Sequence, residues 1–158
     1  MQSIRPSRLP FSVKTQPLTA AEQARVDDAI AAFIQMAEDA GLLDEELALD
    51  TPELADELLI RWASEPRQAR LPDEVIATIV GAAVGDYLRQ LLRVTWAGEG
   101  AGQARSIGLA AEESGEPVVS PFDAVRERLG QASEGFVQDL FDELAAEWSG
   151  LRREPLGG

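Results

Sequence analysis

Val75-Ile76-Ala77-Thr78-Ile79-Val80-Gly81-Ala82-Ala83-Val84-Gly85-Asp86-Tyr87-Leu88, followed closely by Arg93-Val94-Thr95-Trp96-Ala97, is the stretch whose reading decides the fold. Leu71-Pro72-Asp73-Glu74 opens it, and the two acids suit the positive N-terminal end of a helix. Val75, Ile76, Ile79, Val80, Ala83, Val84, Tyr87, Leu88, Leu91 and Leu92 cover most of the circumference. A helix apolar nearly all round is buried on more than one side. Gly81 and Gly85 stand four residues apart and therefore share one face. Each costs about 1 kcal/mol against alanine, which the close approach of another backbone offsets. Asp73, Glu74, Asp86 and Arg89 flank too short an apolar span for a bilayer crossing.

After Leu92 the pattern changes from a helical period to strict alternation. Val94 and Trp96 point one way, and Arg93, Thr95 and Ala97 the other, which predicts a strand. Gly98-Glu99-Gly100-Ala101-Gly102 follows as the connection. A glycine-rich loop after a strand invites comparison with a phosphate cradle, but this one opens no helix and carries no Lys-Ser/Thr, so a hairpin turn is the better reading. Arg105 to Glu112 predicts a second strand, with Ile107, Leu109 and Ala111 facing the core and Ser106, Gly108 and Ala110 facing away. Pro117-Val118-Val119 predicts a short third strand, its proline suited to a strand start or an edge. Ser120-Pro121-Phe122-Asp123 then starts a brief helix with a capping hydroxyl and proline in the first turn. A last helix, capped by Ser133, places Phe136, Val137, Leu140, Phe141, Leu144 and Trp148 on one stripe.

Toward the N-terminus, Thr19 and Glu22 have capping-box spacing, and Val26, Ala29, Ile30, Phe33, Ala37 and Ala40 form an apolar stripe that Gly41 ends. Asp50-Thr51-Pro52-Glu53 starts another helix, with Leu54, Leu58, Leu59 and Trp62 as its apolar face. Residues 38–65 hold ten acids against the single base Arg61. Such a run is either a solvated outer face or a docking patch for a basic partner. Residues 1–16 carry Pro6, Pro10, Arg5, Arg8 and Lys14 without periodicity, and are expected to form a flexible arm.

Composition narrows the chemistry further. With 158 residues, the chain suits one domain. It has no cysteine and no histidine, which removes disulfides, Cys/His zinc sites, thiol nucleophiles and imidazole bases. The net charge of −14 disfavours nucleic acid and anionic membrane. Lys14 is the only lysine, so lysine chemistry has one place to reside, in a polar leader. The acid pairs Asp27-Asp28, Asp44-Glu45-Glu46 and Asp142-Glu143 are the remaining catalytic material, yet adjacent acids on a helix diverge.

Several of these pieces occur together in one known family. Pro17-Leu18-Thr19 with Glu22, the Gly81-Ala82-Ala83-Val84-Gly85 helix, Leu92-Arg93-Val94-Thr95-Trp96, and Pro121-Phe122-Asp123-Ala124-Val125 with Arg128 stand in order. In this the chain resembles the bacterial domain-of-unknown-function 3806 family over about Pro17 to Trp148. Where that family carries an Asp-Glu-Tyr-Gly turn after the tryptophan, this chain has Gly98-Glu99-Gly100. Where the family has Lys-Arg after the proline turn, it has Glu127-Arg128. The resemblance implies an α+β fold and a bacterial origin, and it implies no activity.

The sequence therefore predicts an α+β fold: a small antiparallel sheet of about three strands, packed by four or five helices. One domain spans 17–150, between the 1–16 arm and a 151–158 tail. The expected function is that of a non-catalytic, cytoplasmic, acidic protein-binding module, with a protein partner or self-association and no cofactor, metal, nucleic acid or membrane. The second reading is an immunity-type or secretion-chaperone-type neutraliser of a basic protein, and a carboxylate-based hydrolase ranks last. Contact residues are expected at Arg93, Thr95, Ser106 and Gly108 on the sheet, and at Asp44, Glu45 and Glu46 in the acidic run. The sheet face bearing Thr95, Ala97, Ser106, Gly108 and Ala110 is expected either to lie under a helix of the same chain or to stand open to a partner.

Overall fold

A computed structural model of the chain describes residues 15–44, 50–129 and 136–147. The arm up to Lys14, the acids Glu45 and Glu46, the cap Ser133, Trp148 and the C-terminal tail lie outside the described residues. Helices α1 (Ala20–Asp39), α2 (Thr51–Ser64) and α3 (Asp73–Leu91) are followed by strands β1 (Val94–Glu99), β2 (Ser106–Ala111) and β3 (Pro117–Val119). Helices α4 (Pro121–Arg128) and α5 (Phe136–Glu147) complete the order. The sheet is antiparallel throughout, in the order β1-β2-β3, and the fold is the expected α+β arrangement.

Local chemistry explains the starts of α1, α2 and α4 and the end of α1. Thr19 Oγ1 accepts the Glu22 amide at 3.1 Å while Glu22 Oε1 accepts the Thr19 amide at 2.9 Å, a reciprocal capping box. Asp50 and Glu53 repeat the arrangement on α2. Gly41 follows α1 at φ 73°, the left-handed conformation that closes a helix at least cost to glycine. The Ser120 hydroxyl accepts the Asp123 amide at the start of α4.

Helix α3 is the centre of the fold, contacted by α1, α2, α4 and the inner face of the sheet. Ile76, Val80, Val84 and Leu88 are fully buried on it. Its stripe is narrower than expected at the two ends, where Val75 and Leu91 are exposed. Gly81 and Gly85 form the seam against the C-terminal half of the chain. A Cβ built on Gly81 would lie 2.9 Å from the Cα of Phe122 and 3.1 Å from its nitrogen, so the α4 backbone occupies that space. A Cβ on Gly85 would run into the Trp96 ring and lie 2.9 Å from Pro121. Trp96 and Phe122 stack with centroids 5.7 Å apart along this seam.

Strand β1 runs two residues further than its alternation suggested. Gly98 and Glu99 pair with Ile107 and Ser106 instead of forming the turn, which falls on Gly100–Gly102 and a 3₁₀ turn at Gly102–Ala104. The extension has a partner on its outer side: the Gln16 amide donates to Gly98 O and the Gly98 amide to Gln16 O, both at 2.8 Å. It also has a reason to be glycine, because the Arg105 guanidinium lies where a Cβ on Gly98 would stand.

Two acids are buried, Glu22 of the capping box and Asp56 of the acidic run. Glu22 is 6% exposed and Arg105 grips it with Nε to Oε2 at 2.6 Å and Nη2 to Oε1 at 2.8 Å. This bidentate pair holds the Glu22 carboxyl at about 2, far below its ordinary 4.5, with the Thr19 amide assisting. Asp56, one of the ten acids in the 38–65 run, faces inward from α2. It accepts the amides of Val137 at 2.6 Å and Gln138 at 3.3 Å. It therefore caps α5 from another helix, and burial raises its carboxyl above the ordinary value against the pull of those two amides.

Two outcomes follow from this packing. Gly81→Ala raises intrinsic helix propensity, yet its methyl group meets backbone that cannot move aside, so urea denaturation should record a net loss of about 1–3 kcal/mol. Because the Glu22 pKa is depressed, the stabilisation it supplies is complete above its ordinary value and disappears as pH falls toward 2. The stability gap between wild type and Glu22→Gln, measured by thermal denaturation, should accordingly be widest near neutrality and close between pH 5 and pH 2.

Candidate functional site

The register of β1 on β2 sorts the sheet into two faces. Val94, Trp96, Ile107 and Leu109 face the helices, and Thr95, Ala97, Ser106, Gly108 and Ala110 face away, as the alternation predicted. The outer face is not under α1. Instead Thr15 and Gln16, the last residues of the expected arm, lie beside it. Gln16 bridges to Gly98 at the sheet's edge, and Thr15 donates to Gly115 O through its amide at 3.0 Å and its hydroxyl at 2.7 Å. The only side chains beneath such a strap that fit are small ones, and Ala97 and Ala110 are correspondingly buried.

Thr15 lines two recesses, one on either side of this crossing. The larger, about 620 Å³, is bounded by Thr95, Ala97 and Ala110 and by Asp27, Ile30 and Asp86 from the helices. Its carboxylates are engaged locally: Asp27 accepts from Gln23, and Asp86 accepts from Arg89 and Gln90. The smaller, about 240 Å³, is bounded by Glu99, Ser106, Gly108 and Val119.

The residues expected to make contacts are thus divided. Thr95 is exposed in the larger recess; Ser106 and Gly108 line the smaller. Arg93 is half-buried and Asp44 exposed in the α1–α2 connection, and neither lines either of these two recesses. Glu45 and Glu46 lie outside the described residues. Gly108 serves the chain's own packing, since a Cβ there would lie 2.8 Å from Val119 O. Arg105, the first residue of the predicted second strand, is turned to Glu22.

Asp27 and Asp28 diverge as neighbours on a helix must. Asp27 lines the larger sheet recess while Asp28 lines a groove between α1 and α3. Among the described residues no group of three or more acids converges to hold a metal ion, and no helix is long and apolar enough to cross a membrane. The features that sequence reasoning missed are the buried roles of Glu22 and Asp56 and the strap at Thr15–Gln16. Asp56 had a readable signal: with Pro52 and Leu59 it continues a helical stripe, a polar residue on a buried face. No family model, curated protein or solved structure matches this chain.

Gly108→Arg tests the local packing of the outer face. The new side chain must displace the carbonyl that ends β3, so chemical denaturation should report a loss of about 1–3 kcal/mol or more. A surface truly open at this position would leave the midpoint where it is.

Proposed function

We propose that this chain is a non-catalytic protein-binding module, acting in the cytoplasm, whose acidic helical face takes a basic partner. One observation carries the reading: the ion pairs among the described residues engage other acids, and a set of acids on α1 is left without a cation beside it. Arg61, Arg89, Arg105, Arg126 and Arg128 pair respectively with Glu57, Asp86, Glu22, Glu74 together with Asp123, and Glu143. Asp27, Asp28, Glu38 and Asp39 on α1 are exposed, and no arginine among the described residues lies within ion-pair reach of them. Amide donors on the same helix, Gln23 for Asp27 and Gln35 for Asp39, orient two of them without neutralising either. Unneutralised charge of one sign steers a partner of the other and accelerates encounter. The neutraliser is the form of this reading in which the basic partner is a toxin or effector.

The test compares immobilised wild type with the variant Asp27→Asn, Asp28→Asn, Glu38→Gln, Asp39→Asn in lysate of the source cells. Mass spectrometry should identify a basic protein held by wild type, released by salt and lost from the variant. Identical capture by both chains, capture that salt leaves intact, or no capture at all would overturn the reading.

A further inference from the structure

A second cleft lies between α1, the β1–β2 connection and α4, and its chemistry is opposite to that of the acidic face. Its volume is about 290 Å³, at the lower end of the range for small-molecule sites. Arg25, Arg105 and Arg126 converge on it from three elements far apart in sequence, in a chain whose net charge is −14. Val26, Ile107 and Phe122 form its apolar wall. We propose that this cleft binds a small organic monoanion, a carboxylate carrying an apolar or aromatic body.

The three guanidinium groups differ in how they are held. Arg105 is immobilised by Glu22 and also donates to Gln16 Oε1 at 3.1 Å and to Pro17 O at 3.2 Å, so four of its donors are engaged and it contributes mainly fixed charge. Arg126 is anchored through Nε to Glu74 at 2.8 Å and through Nη1 to Asp123, which leaves Nη2 uncommitted. Arg25 makes no hydrogen bond or ion pair among the described residues and is exposed at the rim. The Ser106 hydroxyl is likewise uncommitted. Against these three cations the lining sets two carboxylates, Glu22 and Asp123, while Glu74 holds Arg126 from the adjoining groove.

That balance selects the ligand. The three arginines are matched in number by Glu22, Asp123 and Glu74, but Arg25 is the one among them with no acid within ion-pair reach, so a ligand of single charge suits it, whereas a phosphate dianion would face those acids at close range. A planar carboxylate matches the fork of a guanidinium and accepts two donors at once. The wall of Val26, Ile107 and Phe122 gives an attached hydrocarbon or ring a place to leave water. The cleft adjoins the acidic face of α1, since Arg25 and Asp28 line one groove, but the inference does not depend on what that face binds.

Titration of the full chain with benzoate, followed by amide chemical shifts, tests it. Saturable shifts should centre on Ser106, Ile107 and Phe122, with affinity on the order of millimolar for so small a probe. Arg25→Gln removes a side chain with no internal bond, so its spectrum should match that of wild type and its benzoate affinity should fall by about tenfold. Arg126→Gln supplies the second variant, with the same loss expected. Benzylamine, of the same shape and opposite charge, should not bind. Tighter binding of inorganic phosphate than of benzoate, benzoate shifts elsewhere on the chain, or affinity indifferent to both substitutions would overturn the proposal. Displacement of benzoate at much lower concentration by a peptide with a free C-terminal phenylalanine would assign the cleft to a protein terminus and overturn the small-molecule reading.

Discussion

The ion pair between Glu22 and Arg105 joins parts of the chain that nothing else joins so directly. Glu22 belongs to the first turn of α1, where it also closes the capping box with Thr19. Arg105 stands between β1 and β2, and its remaining donors hold Gln16 and the carbonyl of Pro17. One guanidinium thus fixes the start of α1, the N-terminal strap and the hairpin relative to one another. Glu22 is buried and Arg105 half-buried, so removing the arginine would leave the Glu22 carboxylate enclosed without its counterion. Gly98 is part of the same device, because only a residue without a side chain lets the guanidinium lie against β1.

The rest of the architecture accumulates around α3. Its glycine seam admits the α4 backbone and the Trp96 ring, and that close approach brings the sheet and the C-terminal helices onto one core. Asp56 does for α5 what Thr19 does for α1, although across a tertiary contact: it offers a carboxylate to amides that a helix start leaves unbonded. In both places a polar group is tolerated inside because it answers a specific backbone deficit.

What the sequence disclosed and what it concealed divide along the distance between partners. The capping box at Thr19–Glu22, the helix start at Asp50–Glu53, the proline starts of α2 and α4, the alternation of β1 and β2 and the paired glycines of α3 are short-range patterns, and each has its expected counterpart in the structure. Arg105 is 83 residues from Glu22, and a long-range ion pair leaves no local pattern that distinguishes it from a surface charge. The end of β1 was misplaced for the same reason, since Gly98 and Glu99 read as turn residues until Gln16 is seen to pair beside them. The small residues of the outer face were legible as a flat surface, but what lies beside it is an extended segment of the same chain, where a helix or a partner was expected. The arginine cleft had no linear signature at all, its residues being scattered over α1, the hairpin and α4.

The bridge between Gln16 and Gly98 has a bearing on colloidal behaviour. A sheet of three strands has two open margins, and each is a template on which another chain can build. At β3 the margin is short and begins with Pro117, which cannot donate to an added strand. At β1 there is neither proline nor lysine, and the outward amide and carbonyl of Gly98 are satisfied by Gln16. The chain's own leader thus does at that margin what gatekeeper residues do in other sheets. A fragment beginning later than Gln16 would leave the Gly98 amide and carbonyl at that margin open to another strand.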